Sequence, residues 1–151
     1  MIRKGEAADA ETLTRFNVAM AHETEAKLLD RDTVAAGVRR LLENPRAGFY
    51  LVAENDNRVT GALMVTFEWS DWRDGCFWWL QSVYVDPPHR RRGVFRRLFA
   101  ALKSLAAAEQ DVRGLRLYVA HNNDVAQMTY ERLGMTATHY AVYEQAFDGT
   151  D

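Results

Sequence analysis

The hydrophobic period of this chain changes once, abruptly, at Pro87-Pro88, and that change limits the possible folds more than any other feature. Ahead of the prolines, "CFWWLQSVYVD" (76–86) has the aromatic and β-branched content of a strand. Behind them, "GVFRRLFAALKSLAAAEQ" (93–110) spaces Val94, Leu98, Ala101, Leu102 and Leu105 as one face of a helix. "GLRLYVA" (114–120) then reads as a strand again. A strand, a helix and a strand in succession make a crossover unit. Such units are right-handed in nearly every protein and set their two strands parallel.

The remaining segments complete a sheet around that unit. "GFYLVAE" (48–54) ends at the polar turn Asn55-Asp56-Asn57, and "RVTGALMVTFEW" (58–69) alternates Val59, Leu63, Val65 and Phe67 with polar or small residues. With the strand at 76–86 they form an antiparallel meander. A short strand is expected at 2–4. A helix is expected over 8–21, with Leu13, Phe16, Val18 and Met20 as its apolar residues. A second, capped by Asp32, runs to Leu42 and stops at Asn44-Pro45, because a residue before proline is pushed out of helical geometry. "NNDVAQMTYERLG" (122–134) reads as a short helix closed by Gly134, and "MTATHYAVYEQAF" (135–147) as a final strand. The expectation is one α/β domain over 1–151, with a mixed, mostly antiparallel sheet and about four helices.

Composition excludes several classes. No apolar run approaches the roughly 20 residues needed to span a bilayer, so no membrane partner is expected. The start, "MIRKGEAADAETL", lacks the apolar stretch of a secretory signal. The single cysteine, Cys76, excludes an internal disulfide and a multi-cysteine zinc site; it reads as a buried strand residue, and no metal is expected. These features together predict a reduced, cytoplasmic setting. A net charge of -2 argues against nucleic acid as a partner. A homodimer is left open.

Within this acidic chain, "HRRRGVFRRLF" (89–99) crowds Arg90, Arg91, Arg92, Arg96 and Arg97 around Gly93. Glycine at a strand-to-helix junction lets the backbone approach a ligand closely. The helix start adds unpaired N–H groups, here those of Gly93, Val94, Phe95 and Arg96, and the positive end of the dipole. Arginines add bidentate phosphate contacts. The pattern suits the diphosphate of a small ligand. It is neither a G-x-x-x-x-G-K-[ST] nor a G-x-G-x-x-G loop, since Gly93 is the only glycine between Gly75 and Gly114.

"VYVDPPHRRRGVFRRLFAAL" (83–102) resembles the acyl-CoA-binding motif of the GNAT superfamily of N-acetyltransferases, a V-x-V strand end followed by [QR]-x-x-G-x-[GA] at a helix start. Arg90 takes the first motif position and Gly93 the glycine. Phe95 departs from the usual Gly or Ala. "NNDVAQMTYERLGM" (122–135) resembles the downstream N-x-x-A-x-x-x-Y-x-x-x-G-[FM] stretch, with Asn123, Ala126, Tyr130 and Gly134 in register. The resemblance implies a sheet splayed between its fourth and fifth strands, and direct transfer of an acetyl group from acetyl-CoA to an amine. It also implies that the backbone of Val83 and Val85 binds the pantetheine arm and polarises the thioester carbonyl. Tyr130 then becomes the acid for the leaving thiolate, and Asn123 both a cofactor contact and a helix cap. A frequent family glutamate is replaced by Gln81, which cannot take a proton; Glu68 is the first choice of base, with Glu23 and Glu25 as alternatives.

"FEWSDWRDGCFWW" (67–79) gathers Trp69, Trp72, Trp78 and Trp79 with Glu68, Asp71 and Asp74, a set suited to a cationic amine. Trp78 and Trp79 point to opposite faces of their strand, and at least one of them is expected in the core or a dimer interface. Glu23 and Glu25, in the connection between the first two helices, flank the same acceptor in the family. The expected acceptor is a small primary amine, amino-acid-like or polyamine-like. A protein amine, or an acyl-CoA-binding domain without turnover, are the alternatives.

Overall fold

The computed structural model describes residues 1–147, in two compact units, Met1–Leu117 and a second that begins at Tyr118. In the first unit, β1 (Ile2–Lys4), β2 (Gly48–Asn55), β3 (Arg58–Ser70), β4 (Gly75–Val85) and β5 (Val112–Arg116) lie side by side in chain order. The first three junctions are antiparallel, and β4 pairs with β5 in parallel. This is the mixed sheet expected from the change of period. The crossover helix is α3 (Val94–Ala108).

Register decides which helix covers which face. α1 (Ala10–Glu25) and α2 (Arg31–Leu42) contribute Leu13, Phe16 and Val38 to a cluster with Tyr50, Val52, Ala62 and Tyr84. Val52 stands opposite Ala62, and Ala62 opposite Tyr84, so this row crosses three strands on a single face. α3 takes the other face: a Cβ on Gly61, the neighbour of Ala62, would lie 2.9 Å from Val94 Cγ1. Leu51, Leu63, Leu98 and Leu102 are almost wholly buried, each worth about 1.5–3 kcal/mol of transfer free energy.

Several expectations need correction. The α2 cap is Asp30, whose carboxylate accepts from Thr33 N–H at 2.9 Å, and Asp32 already lies inside the helix. The buried stripe of α3 runs through Val94, Leu98, Phe99, Leu102 and Ala106, while Leu105 is 38% exposed. Cys76 is half-buried, not buried. β5 starts and stops earlier than 114–120, since its register with β4 ends at Trp79 opposite Arg116. The alternating stretch 135–147 forms no strand among the described residues. It lies in the second unit, whose described residues offer no neighbouring strand, and alternation makes a strand only where a ladder is available.

One buried ion cluster ties the start of the chain to the sheet. The Arg3 guanidinium donates to both oxygens of Asp9, at 2.7 and 2.9 Å, and through Nε to Glu54 at 2.7 Å. Asp9 is 6% exposed and also accepts from the Glu6 N–H. Burial pushes its carboxyl up, but the bonds from Arg3 and Glu6 outweigh that and hold it below the usual aspartate range. A carboxyl depressed in the folded state adds stability above the unfolded value of about 3.9, and that stability is lost as pH falls through the folded value. Asp9→Asn therefore lowers unfolding free energy by about 3 kcal/mol at pH 7, and by less at pH 3, below the unfolded value. Urea denaturation at the two pH values measures the difference.

Candidate active site

β4 ends at Val85, and the chain turns at once through a 3-10 turn at Pro87–His89. The prolines occupy the first two positions of that turn, where no N–H is required. Asp86 and Pro87 accept from the His89 and Arg90 amides at 2.8 and 3.2 Å. Two residues then enter the left-handed region, Arg91 at φ 61° and Gly93 at φ 71°. Gly93 is the N-cap of α3; it carries no side chain to cap the helix, and its carbonyl accepts the first helical bond from Arg97 at 3.1 Å. The helix thus presents the positive end of its dipole without a capping side chain. Val94 is buried against Gly61, which fixes where that end points. Phe95 is half-buried, its ring 6.0 Å from Phe99.

The five arginines divide into two groups. Arg90 donates through Nε to the Val85 carbonyl at 2.9 Å and through Nη2 to Glu23 at 2.7 Å. Arg97 donates to the Arg92 carbonyl at 2.9 Å. Arg91, Arg92 and Arg96 are exposed, and no ion pair or side-chain hydrogen bond engages them among the described residues. Their charges surround the Gly93 turn.

Along β4 the sequence gives no warning of one feature. Ala62 pairs with Tyr84 and Met64 with Gln81, so Leu63 stands opposite both Ser82 and Val83, and Ser82 has φ 50°. This is a β-bulge, which kinks the strand and re-aims its side chains. Beyond it, the bonds to β5 have already ceased, since that pairing covers only Cys76 to Trp79. The fourth and fifth strands therefore separate where Gln81, Val83 and Val85 lie. Gln81 donates to Thr66 Oγ1 at 2.6 Å.

Register also sorts the acceptor candidates. Gln81 opposite Met64, Trp79 opposite Thr66 and Phe77 opposite Glu68 share one face. Arg116 of β5 stacks over Phe77 at 3.7 Å and donates to Glu68 at 2.5 Å. Gln81, Thr66 and Glu68 thus make one polar strip. Trp69, opposite Cys76, is on the other face, and Trp78 is core beside Phe49 and Phe67. Trp69 and Trp72 are 63% and 86% exposed near the hairpin tip, where Asp71 accepts from the Trp72 N–H. Glu23 sits at the far end of β4, on Tyr84 and Arg90. Eight residues of strand separate Tyr84 from Cys76, roughly 25 Å, so Glu23 and Trp69 do not converge. Glu25 is exposed, 4.0 Å from Lys27.

In the second unit, α4 (Asp124–Arg132) is capped by Asn123, whose Oδ1 accepts from the Ala126 N–H at 3.1 Å. Tyr130 lies in this helix, and burial pushes its phenol up, so it keeps its proton at neutral pH. Three contributors escaped the sequence reading. Gly61 carried a signal, a glycine inside a strand. Ser82 and Thr66 carried none, because a bulge and a cross-strand bond depend on pairing.

A model of the acetyltransferase (GNAT) family matches residues 12–135. No curated protein matches the sequence. Among solved structures, a possible acetyltransferase from Clostridium difficile 630 is 42% identical, with 97% of each chain covered and a TM-score of 0.93. A ribosomal-protein-alanine N-acetyltransferase from Brucella melitensis biovar Abortus 2308 is 19% identical, covering 97% of this chain and 98% of that one, with a TM-score of 0.77. The aminoglycoside enzyme AAC(6')-Iy, in complex with a bisubstrate analogue, is 18% identical over 97% of each chain, with a TM-score of 0.76. These last two share the fold.

A Cβ on Gly93 would meet nothing nearer than Arg97 Nη1 at 3.5 Å, so the cost of a side chain there comes from φ rather than from a clash. Gly93→Ala is expected to destabilise by about 1–2 kcal/mol, and Gly93→Asn, which tolerates the left-handed region, by less. Thermal unfolding of the two variants tests the order.

Proposed function

Because this chain belongs to the acetyltransferase (GNAT) family and is an acyltransferase, we propose that it transfers the acetyl group of acetyl-CoA directly to a primary amine of a small, amino-acid-like or polyamine-like molecule. The observation that carries this reading is the turn after β4. A left-handed glycine heads an uncapped helix, with Arg91, Arg92 and Arg96 unengaged around it among the described residues. These residues fit the diphosphate of coenzyme A in charge and in backbone form.

An acyl thioester brings an acetyl group already activated toward an amine. The chain's own groups bind, orient and move protons. Gly93, Val94, Phe95 and Arg96 offer the amides of the helix start, and Arg91 and Arg92 add charge. Of the two backbone positions assigned to the pantetheine arm, the Val85 carbonyl is already bonded to Arg90. That bond uses an acceptor, so the backbone N–H groups of Val83, in the bulge, and of Val85 both stay assigned as donors to the thioester oxygen, a contribution of about 3 kcal/mol in comparable sites. Tyr130 gives its proton to the leaving thiolate and regains one from solvent, and Asn123 holds the start of its helix.

The amine arrives as an ammonium and must lose a proton. Gln81, held by Thr66, orients it; Glu68, on the same strip but about 13 Å along β4 and bonded to Arg116, accepts the proton through intervening water. Trp69 lies about 17 Å from Gln81 along β4 and on the opposite face, with Asp71 and Trp72 beyond it in the hairpin turn, so these three would contact only a distant part of an acceptor that extends past the hairpin end.

Incubation of acetyl-CoA with amino acids, polyamines and a peptide with a free N-terminus, read as released thiol, tests the reading. Turnover is expected with a small amine. Coenzyme A binding without thiol release from any of them would falsify the transferase function and leave an acyl-CoA-binding domain. Tyr130→Phe is expected to lower kcat about 100-fold while changing the KM for acetyl-CoA far less, in steady-state kinetics.

A further inference from the structure

We propose that Glu23 is a positioning residue for coenzyme A: through Arg90 it braces the turn between β4 and α3, and Arg90 is committed to that brace rather than to phosphate. The inference rests on the function proposed above.

Both oxygens of Glu23 are used. Oε2 accepts from Arg90 Nη2 at 2.7 Å, and Oε1 accepts from the Tyr84 hydroxyl at 2.8 Å. The same guanidinium donates through Nε to the Val85 carbonyl and lies 5.2 Å from the Tyr84 ring centroid. One side chain therefore joins the last residue of β4 to the last turn of α1. Tyr84 is 6% exposed, so its hydroxyl needs an acceptor, and Glu23 supplies one. Burial and then Glu23 push the phenol up to about 12, so it remains a donor.

The carboxylate's own position points the same way. Glu23 lies in the last turn of α1, where the helix dipole disfavours negative charge. Arg90 is the largest influence holding its carboxyl below the usual range, ahead of the opposing cost of burial. α1 closes just beyond, at Ala26 with φ 52°, and the Lys27 amide bonds back to the Ala21 carbonyl, so this helix end is fixed. The braced turn holds Arg91 in the left-handed region at φ 61°, a conformation that in a residue other than glycine persists only when its surroundings over-determine it. Arg90 differs in this from Arg91, Arg92 and Arg96, which have no such partner among the described residues.

A double-mutant cycle tests the proposal, with coenzyme A affinity measured by calorimetry on the full chain. Glu23→Ala and Arg90→Ala are each expected to weaken binding about three- to ten-fold, and the double variant no more than either alone. KM for acetyl-CoA should rise more than kcat falls. Arg90→Lys keeps the charge but loses the fork that reaches Val85 and Glu23 together, and should behave like Arg90→Ala. Tyr84→Phe spares the Arg90 contacts and should weaken binding less than either alanine variant. The inference is overturned if the two effects add, if Arg90→Lys restores affinity, or if Glu23→Ala binds like wild type. Wild-type protein that binds no coenzyme A overturns the proposed function and this inference with it; wild-type binding with an additive cycle overturns this inference alone.

Discussion

Everything in the first unit is arranged around a strand with unequal sides. β4 is hydrogen-bonded to β3 from Gly75 to Val85, interrupted by one bulge, but to β5 only from Cys76 to Trp79. Backbone donors and acceptors that leave a ladder must find partners elsewhere. Where the β5 pairing stops, Ser82 bulges, Val85 gives its carbonyl to Arg90, and the chain leaves for α3. The crossover helix can start at this point because Gly61 lets Val94 sit against the sheet. The end of β4 is thus held tightly on one side and released on the other.

Charge does different work at different depths. Three arginines each join segments far apart in sequence: Arg3 to Asp9 and Glu54, Arg90 to Glu23, and Arg116 to Glu68. Only the first group has a nearly buried carboxylate, and only there does the pairing weigh heavily on stability. The other two are partly exposed, and pairs of that kind usually contribute under about 1 kcal/mol. What they fix is geometry, the approach of α1 to β4 and of β3 to β5. Around Gly93 the charges divide in the same way: Arg90 and Arg97 are committed to a carboxylate or a carbonyl, while Arg91, Arg92 and Arg96 are left exposed at one turn.

The parts of this fold that depend on local chemistry were legible in the sequence. The change of period at Pro87-Pro88 gave the crossover, and the strands 2–4, 48–54 and 58–69 fell within a residue of their observed ends. The parts that depend on partners were hidden. Alternation at 135–147 named a strand, but a strand also needs a neighbour. The hairpin tryptophans looked like one cluster until register put Trp69 and Trp79 on opposite faces. Nothing in the stretch around Arg90 reveals its partner Glu23, 67 residues away. Asp30 and Asp32 were equally good caps by type, and only the bond to Thr33 separates them. Of the site, the Gly93 turn was readable, while the bulge that shapes its approach was not.

The hairpin of β3 and β4 runs on past β2, whose pairing with β3 starts at Gly48 opposite Thr66. That overhang carries Trp69 and Trp72 in water, while Trp78, on the same ribbon, is 8% exposed among phenylalanines. The indole emission of this molecule is therefore a sum of unlike sources. Two of its fluorophores already sense solvent in the native state and hardly change colour on denaturation. The red shift that accompanies loss of structure must come mostly from Trp78 and the half-buried Trp79, which makes it a reporter of the sheet and not of its tip.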